Sequence, residues 1–204
     1  MQDHTLSDFL ADMRPRKIFS RRWTQRSAVA LVLDDDAIEQ AQLLLIKRAD
    51  KEGDPWSGHM AFPGGRQERV DKNGLATAKR EMLEEVGFDI DRQGLAGKPI
   101  GRLSDVKTTR RVIPKPMVIS PYVFLVDEQP PLTPNHEVAE TLWVPMAYFA
   151  ELENRSVMSV DYRGQSFSMP CYRYDKKVIW GLTLSIIDEL LSTVGVQPPE
   201  WTSR

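Results

Sequence analysis

The stretch 62–88, FPGGRQERVDKNGLATAKREMLEEVGF, decides the fold. It contains a Pro-Gly-Gly turn, a short loop and then an acidic segment with helical spacing. Glu81, Glu84 and Glu85 follow each other at i, i+3 and i+4, so they lie on one side of a helix. Apolar residues of the same segment form a neighbouring face that can pack on a sheet: Leu75, Ala78, Met82 and Val86. The spacing predicts a helix over 75–86, ended by Gly87 as a left-handed C-cap.

The clustered carboxylates of this helix repel each other and are disfavoured by the helix dipole. Like charges at i,i+3 and i,i+4 each cost a few tenths of a kcal/mol, and negative charge is unfavourable in the C-terminal half of a helix. A divalent cation reverses both effects, because clustered carboxylate oxygens are the ligands that Mg²⁺ and Mn²⁺ prefer. The alternative is a solvated acidic face balanced by Lys79 and Arg80. The neighbouring Gly64-Gly65 favours the metal site, because glycines let backbone groups approach a ligand closely.

The rest of the chain alternates predicted strands and helices, which indicates one α/β domain with helices covering a mixed sheet. An N-terminal helix is expected from the spacing of Leu6, Phe9, Leu10 and Met13, and it ends before Pro15. The final helix is predicted over 177–193. Further elements are expected as strands at 27–33, 43–48, 118–126 and 141–144, a short extended segment at 59–62, a short helix at 144–152, and a hairpin at 157–174 turning near Arg163-Gly164.

Composition excludes several classes of protein. The 204 residues include 27 basic and 29 acidic side chains, a formal net charge of -2, which does not favour nucleic acid or a membrane surface as a partner. No apolar run approaches the ~20 residues of a membrane span. The single Cys171 excludes an internal disulfide, and the N-terminus lacks a secretory pattern, so a cytoplasmic location is expected. We interpret His59, His136 and Cys171 as structural, since they show no zinc or nucleophile pattern.

The FPGG turn and the segment 80–88, REMLEEVGF, together resemble the signature of the Nudix hydrolases. The resemblance implies an α/β/α sandwich of the Nudix type, with a mixed β-sheet flanked by helices. It implies a Nudix domain over 26–195, preceded by a helical and basic extension over 1–25 and followed by a tail over 196–204. Gly65 lies one residue further from Arg80 than in the commonest form of the signature. The acid of the spacer therefore falls on Asp71 or is missing, and Lys72 occupies its usual position.

The resemblance also implies roles for individual residues. Glu84 and Glu85 would hold the catalytic Mg²⁺ or Mn²⁺, with Glu81 as a further ligand or as the base that deprotonates the attacking water. Arg80 would orient these carboxylates. The Gly65 carbonyl is a candidate metal ligand, and a further acid is expected from beyond the helix, with Glu137 as first choice and Glu140 as second.

The longer spacer, the Thr77-Ala78 pair and the segments 137–149 and 179–183 are similar to the coenzyme A diphosphatase branch of that family. This implies a nucleotide diphosphate substrate, coenzyme A or an acyl-CoA, cleaved to phosphopantetheine and adenosine 3′,5′-bisphosphate. ADP-ribose, dinucleotides and nucleoside triphosphates are alternative substrates, and a catalytically silent ligand-binding module is the alternative from another class. Family members often form homodimers, and the resemblance leaves a homodimer open for this chain. Candidate substrate-binding residues, each with a plain surface or packing role as its alternative, are Arg48, Arg66, Trp56 and Arg110, with Lys107 and Arg111 in the same basic loop as Arg110.

Overall fold

The computed structural model describes residues 5–19, 23–53, 56–92, 97–108, 116–162 and 164–199. Eight strands form the main sheet: β1 Gln25–Leu33, β2 Gln42–Arg48, β3 Met60–Ala61, β4 Gly64–Arg66, β5 Gly97–Arg102, β6 Val106–Lys107, β7 Met117–Val126 and β8 Val138–Pro145. Three strands form a second sheet: β9 Arg155–Tyr162, β10 Gln165–Tyr174 and β11 Lys177–Trp180. The helices are α1 Leu6–Asp12, α2 Gly74–Val86, α3 Met146–Ala150 and α4 Gly181–Thr193.

The main sheet is mixed because its central strand has neighbours of both directions. β1 runs parallel to β7 over the whole register from Gln25–Met117 to Leu33–Leu125. It is antiparallel to β2 at one end and to β4 at the other. The other side of β2 pairs antiparallel with β8. The predicted mixed sheet is therefore confirmed.

Helices cover both faces of the main sheet, and each face has its own core. α2 packs Ala78, Met82 and Val86 against alternate residues of β1 and β2. The other core contains side chains of α1 and α4 together with the remaining alternate residues of these strands. The alternation follows from the period of two along each strand. These layers confirm the predicted helix–sheet–helix architecture.

The N-terminal segment packs on the domain rather than away from it. Leu6 and Leu10 of α1 are buried in the same core as α4. Further along, the backbone amide of Ile18 donates a hydrogen bond to the buried Asp105 carboxylate at 2.9 Å. The division into an extension, a domain and a tail stays a prediction.

The second sheet is joined to α4 by a partly buried ion pair. Arg155 of β9 binds Asp188 of α4 through two hydrogen bonds of 2.7 and 2.8 Å. The same guanidinium donates to the Tyr172 hydroxyl at 3.0 Å and lies over the Tyr172 ring. These contacts fix the base of the β9–β10 hairpin to the body of the protein.

One helix boundary was predicted wrongly. The segment 177–180, assigned to the final helix, forms β11, and α4 begins only at Gly181. Asp175 and Lys176 adopt positive φ values of 45° and 63°, which turn the chain back from β10 into an antiparallel strand. Gly181, with φ of 62°, then allows the change from strand to helix. Among the described residues, no helix combines the length and the apolar character that crossing a bilayer requires.

Candidate active site

The double glycine lets the β4 backbone lie directly against a neighbouring strand and a carboxylate of α2. A Cβ on Gly64 would stand 2.5 Å from the Ala28 carbonyl oxygen of β1. A Cβ on Gly65 would stand 2.5 Å from the carboxyl carbon of Glu81. Since real Cβ atoms do not make contacts this short, only glycine fits both positions without movement. The turn therefore brings the Glu81 carboxylate onto bare backbone.

Glu85 lies on the same turn and is buried. Its side chain accepts a hydrogen bond of 2.8 Å from the Gly64 amide, and the residue is only 3 % exposed. Burial raises the pKa of Glu85 to about 7, with Glu81 and Glu137 adding to the rise and the Gly64 amide and Arg48 opposing it. Burial also raises the pKa of Glu81, against the opposing charge of Arg80. The site thus holds two carboxylates whose negative charge is poorly solvated.

Arg80 is the centre of an ion-pair network on the exposed side of these carboxylates. Its guanidinium contacts Glu81 at 3.0 Å, Glu84 at 2.9 Å and Asp71 at 3.0 Å, and it donates to the Arg66 carbonyl at 2.9 Å. The arginine therefore ties α2 to the loop that precedes it and to the end of β4.

Asp71 provides the acid of the loop that contacts this arginine. Its side chain is 4 % exposed and accepts hydrogen bonds from the Arg80 guanidinium, the Glu68 amide and the Thr77 hydroxyl. The bond from Arg80 is the largest cause that lowers the pKa of Asp71. The sequence left open whether the acid of the spacer is Asp71 or is missing. In the structure, Asp71 is the acid of this loop that contacts Arg80.

The side chains of the three glutamates of α2 have different surroundings. Glu81 and Glu85 face the glycine turn, while the half-exposed Glu84 pairs with Arg80. The Gly65 carbonyl accepts a hydrogen bond from Ser27. Within the part of the chain that the structure describes, no three acidic, histidine or cysteine side chains are grouped closely enough to hold a metal. The donors are nonetheless carboxylate and carbonyl oxygens, the set that suits Mg²⁺ or Mn²⁺.

The two acids expected beyond the helix separate clearly. Glu137 directly precedes β8; its half-exposed carboxylate lies 4.0 Å from His136, and its charge adds to the rise in the pKa of Glu85. Glu140 instead pairs with Lys177 of β11 at 2.9 Å. Glu140 is thus engaged in an ion pair with the second sheet, and Glu137 stays the predicted further acid of the site.

The candidate substrate-binding residues lie on different elements of the fold. Arg48 ends β2, and its charge acts on Glu85. Arg66 ends β4 with an exposed side chain, and Trp56 is half-buried in the turn before His59. Lys107 is exposed on β6, at the far side of β7 from β1. Arg110 and Arg111 lie outside the described residues.

Sequence reasoning gave no role to two hydroxyl groups that support the site. Ser27 of β1 binds the Gly65 carbonyl, and Thr77 of α2, fully buried, binds Asp71 at 3.0 Å. The only signal for Thr77 was the Thr-Ala pair before Arg80. Ser27 gave no signal, since its contact depends on the pairing of β1 with β4.

The mixed sheet, the glycine turn and the carboxylate-bearing helix packed against that turn define a class of α/β fold. Comparison with known proteins identifies the family within this class. The model of the NUDIX domain matches residues 23–159, more than half of the chain. The chain belongs to the Nudix hydrolase family.

Relatives of known sequence and structure are consistent with this family. An uncharacterized Nudix hydrolase NudL of Photorhabdus laumondii is 30 % identical over 177 residues, covering 86 % of this chain and 90 % of the relative. An uncharacterized protein of Schizosaccharomyces pombe is 35 % identical over 121 residues, which are 58 % of this chain but only 36 % of the yeast protein. A solved MutT/nudix family protein from Enterococcus faecalis shares the fold at a TM-score of 0.51 and 18 % identity, covering 85 % of this chain and 60 % of that one.

Proposed function

We propose that this Nudix hydrolase is a metal-dependent diphosphatase that cleaves coenzyme A or an acyl-CoA into phosphopantetheine and adenosine 3′,5′-bisphosphate. The observation that carries the proposal is the seating of the Glu81 and Glu85 carboxylates on the Gly64–Gly65 backbone, with Arg80 and Arg48 beside them. Buried carboxylates of raised pKa are typical of functional sites. A cytoplasmic location is part of the same proposal.

The residues assigned to the metal are Glu81, Glu84, Glu85, Glu137 and the Gly65 carbonyl. A divalent ion held there would polarise the diphosphate and lower the pKa of bound water. Its charge would also offset the poor solvation of Glu81 and Glu85, which burial disfavours as anions. To join this set, Glu84 has to leave its 2.9 Å contact with Arg80.

The chain's own cations and backbone supply positioning. Arg80, fixed by Asp71, orients Glu81 and can release Glu84 while keeping its other partners. Arg48 lies within electrostatic reach of Glu85, where it can pair with a substrate phosphate. Arg66, Trp56 and Arg110 are proposed to contact more distant parts of the substrate.

Coenzyme A is favoured over ADP-ribose, dinucleotides and nucleoside triphosphates by sequence features: the one-residue-longer spacer, the Thr77-Ala78 pair and the segments 137–149 and 179–183. The longer spacer is compatible with an ordered site, since Asp71 within the spacer accepts hydrogen bonds from the Arg80 guanidinium.

The proposal is tested by incubating the protein with Mg²⁺ or Mn²⁺ and each candidate diphosphate, and identifying the products by mass. We expect hydrolysis of coenzyme A or its thioesters, and a loss of at least about 100-fold in Glu84→Gln and Glu85→Gln, since even outer contacts of a metal site contribute about 10- to 100-fold. Glu137→Gln and Glu140→Gln form a matched pair, of which only the first is expected to lose activity. Full turnover in Glu85→Gln would contradict the metal-site assignment. Hydrolysis of another diphosphate, with no hydrolysis of coenzyme A or its thioesters, would contradict the proposed substrate.

A further inference from the structure

The β9–β10 hairpin has two chemically different faces. Directly opposed residues of antiparallel strands share a face, and the register pairs Ser156 with Cys171, Met158 with Met169 and Val160 with Phe167. The 3.2 Å contact between Ser156 Oγ and Cys171 Sγ agrees with this assignment. The intervening pairs form the opposite face: Arg155–Tyr172, Val157–Pro170, Ser159–Ser168 and Asp161–Ser166.

The apolar face of the hairpin is incompletely covered by the rest of the described protein. Beyond Cys171 the ribbon has only two strands, because β11 pairs with β10 over Cys171–Tyr174 alone. Phe167 is 43 % exposed, and Met158, Val160 and Met169 are half-buried. The opposite face has Arg155 and Tyr172, which bind the body of the protein, at its base, then the apolar Val157–Pro170 pair, and serines with Asp161 towards the tip. A narrow, partly exposed apolar row of this kind can accommodate an apolar ligand.

This apolar row is continuous with the candidate active site. Cys171 pairs with Trp180, so the Trp180 ring extends the row onto β11. The ring of Trp180 meets that of His59 edge-on, at 5.1 Å between centroids. The carbonyl of His59 accepts the Arg48 amide at 3.0 Å, and the Arg48 charge acts on the buried Glu85. At its Trp180 end the row is thus one ring contact away from His59, which is hydrogen-bonded to Arg48 at the end of β2.

We propose that this row, which we call the apolar track, binds the extended chain attached to the substrate's diphosphate. It comprises Trp180, Cys171, Met169, Met158, Val160 and Phe167. The inference rests on the proposed function, since the chain is the pantetheine arm near Trp180 and the acyl group beyond it. From Cys171 to Phe167 the track advances four residues, roughly 13 Å at about 3.3 Å per residue. That length suits an extended acyl chain.

A second copy of the protein is a less suitable occupant. Stable interfaces bury about 800 Å² on each partner. The track is a narrow ribbon of six side chains, of which Cys171 is buried and four others are already half-buried. Its remaining apolar area is sufficient for one hydrocarbon chain but is small for a subunit interface.

The test compares the KM values for coenzyme A and for its acetyl, butanoyl, octanoyl and decanoyl thioesters. A fully buried methylene strengthens binding by about fourfold. An acyl chain on the apolar track would be covered on one side only, so each methylene should contribute less. For the wild type we therefore expect KM to fall about tenfold or more from acetyl-CoA to octanoyl-CoA. In Phe167→Ser and Val160→Ser we expect this dependence on chain length to flatten, while KM for unacylated coenzyme A stays the same. Val157→Ser is the matched control, because Val157 is 52 % exposed on the opposite face of the same hairpin.

A wild-type KM that does not change with acyl length overturns the apolar track and leaves the diphosphatase proposal intact. A wild-type dimer that dissociates in Phe167→Ser, measured by light scattering, also overturns it, because a second copy would then cover the face. If no coenzyme A thioester is hydrolysed, the proposed function fails first. The track is then judged by calorimetric binding of octanoyl-CoA, and equal affinities in the wild type and Phe167→Ser overturn it.

Discussion

Single side chains in this site are held in states that they would not adopt in water. Glu85 is packed between α2 and the glycine turn, where one amide hydrogen bond only partly replaces its lost hydration. The raised pKa that results means that the protein is less stable with Glu85 ionised. A cation bound beside Glu85 would favour its ionised form, because the positive charge would replace part of the lost solvation.

This property leads to a prediction about stability in the absence of metal. With EDTA present, the unfolding free energy of the wild type should fall as pH rises from about 4.5 to about 7. In that range the folded Glu85 keeps its proton while the unfolded side chain, with an ordinary pKa of 4.5, has lost it. In Glu85→Gln the unfolding free energy should not show this decrease. At pH 8 the variant should be more stable than the wild type by up to about 3 kcal/mol. It should also lose activity. Urea titrations at pH 5 and pH 8 measure the difference.

Glu84→Gln is the control for this prediction, since Glu84 is half-exposed and its removal breaks only the surface ion pair with Arg80. We expect it to change the unfolding free energy by less than about 1 kcal/mol at both pH values. A parallel pH dependence in the wild type and Glu85→Gln would mean that Glu85 is ionised without penalty.

At the scale of elements, α2 carries the site, and its ends are defined by local chemistry. Asn73 caps the N-terminus, with its side chain accepting the Ala76 amide at 3.0 Å. Gly87, with φ of 70°, ends the helix in the left-handed region, as predicted. The glutamates occupy the second half of the helix, so the N-cap affects its stability more than the geometry of the site.

Asn73→Ala should therefore lower the unfolding free energy by about 1 kcal/mol, the typical value of a lost cap. Its kcat should stay within about twofold of the wild type once the protein is folded. Asn73→Asp, which keeps an acceptor at the same position, should retain the stability of the wild type. Thermal unfolding and steady-state kinetics on the three proteins decide the matter. An equal loss in both variants would mean that the hydrogen bond to Ala76 contributes little.

Elements with a strong pattern of their own were predictable, including the apolar strands β1, β2 and β7, and strands without such a pattern were not. The helix expected over 75–86 is Gly74–Val86, because capping and apolar spacing are properties of the segment itself. β4, with the sequence GGR, and β5, with GKPIGR, have little β-propensity. They exist because β1 and β7 offer them partners. β11 was taken for helix because VIW precedes a true helical pattern and short apolar runs are ambiguous.

The same distinction applies to the site. The spacing of Glu81, Glu84 and Glu85 predicted a shared helix side, but the choice of Glu84 for Arg80 depends on side-chain conformation. The choice between Glu137 and Glu140 depends on contacts between distant parts of the chain. Glu140 of β8 pairs with Lys177 of β11, 37 positions further on, and nothing in the local sequence of either residue indicates this contact.

At the scale of the whole molecule, the second sheet is held to the main body by core side chains such as Tyr172 and Ile179 and by polar contacts that include the Arg155–Asp188 ion pair. The Arg155 side chain is 7 % exposed and that of Asp188 is 23 % exposed, so the pair is largely removed from water. Removing one partner from such a pair leaves a buried charge without its counter-ion, whereas replacing both with apolar groups is often neutral.

Asp188→Ala should therefore destabilise the protein by about 3 kcal/mol. The double variant Arg155→Met with Asp188→Leu should recover most of that loss. Chemical denaturation of the wild type, the single variant and the double variant measures both effects. A double variant as unstable as the single one would show that the contacts of Arg155 with Tyr172, one hydrogen bond and the stacking on its ring, and not its charge balance, hold the sheet in place.

The parallel pairing of β1 with β7 has a consequence for how the protein is made. Gln25 pairs with Met117, so the two strands at the middle of the sheet are separated by 92 positions of chain. Closing so long a segment has a large entropic penalty and tends to slow folding. During synthesis, the apolar β1 leaves the ribosome long before its partner exists. The apolar β1 segment is therefore exposed without its pairing strand during part of synthesis. In this interval we expect the nascent protein to be prone to aggregation and to depend on chaperones.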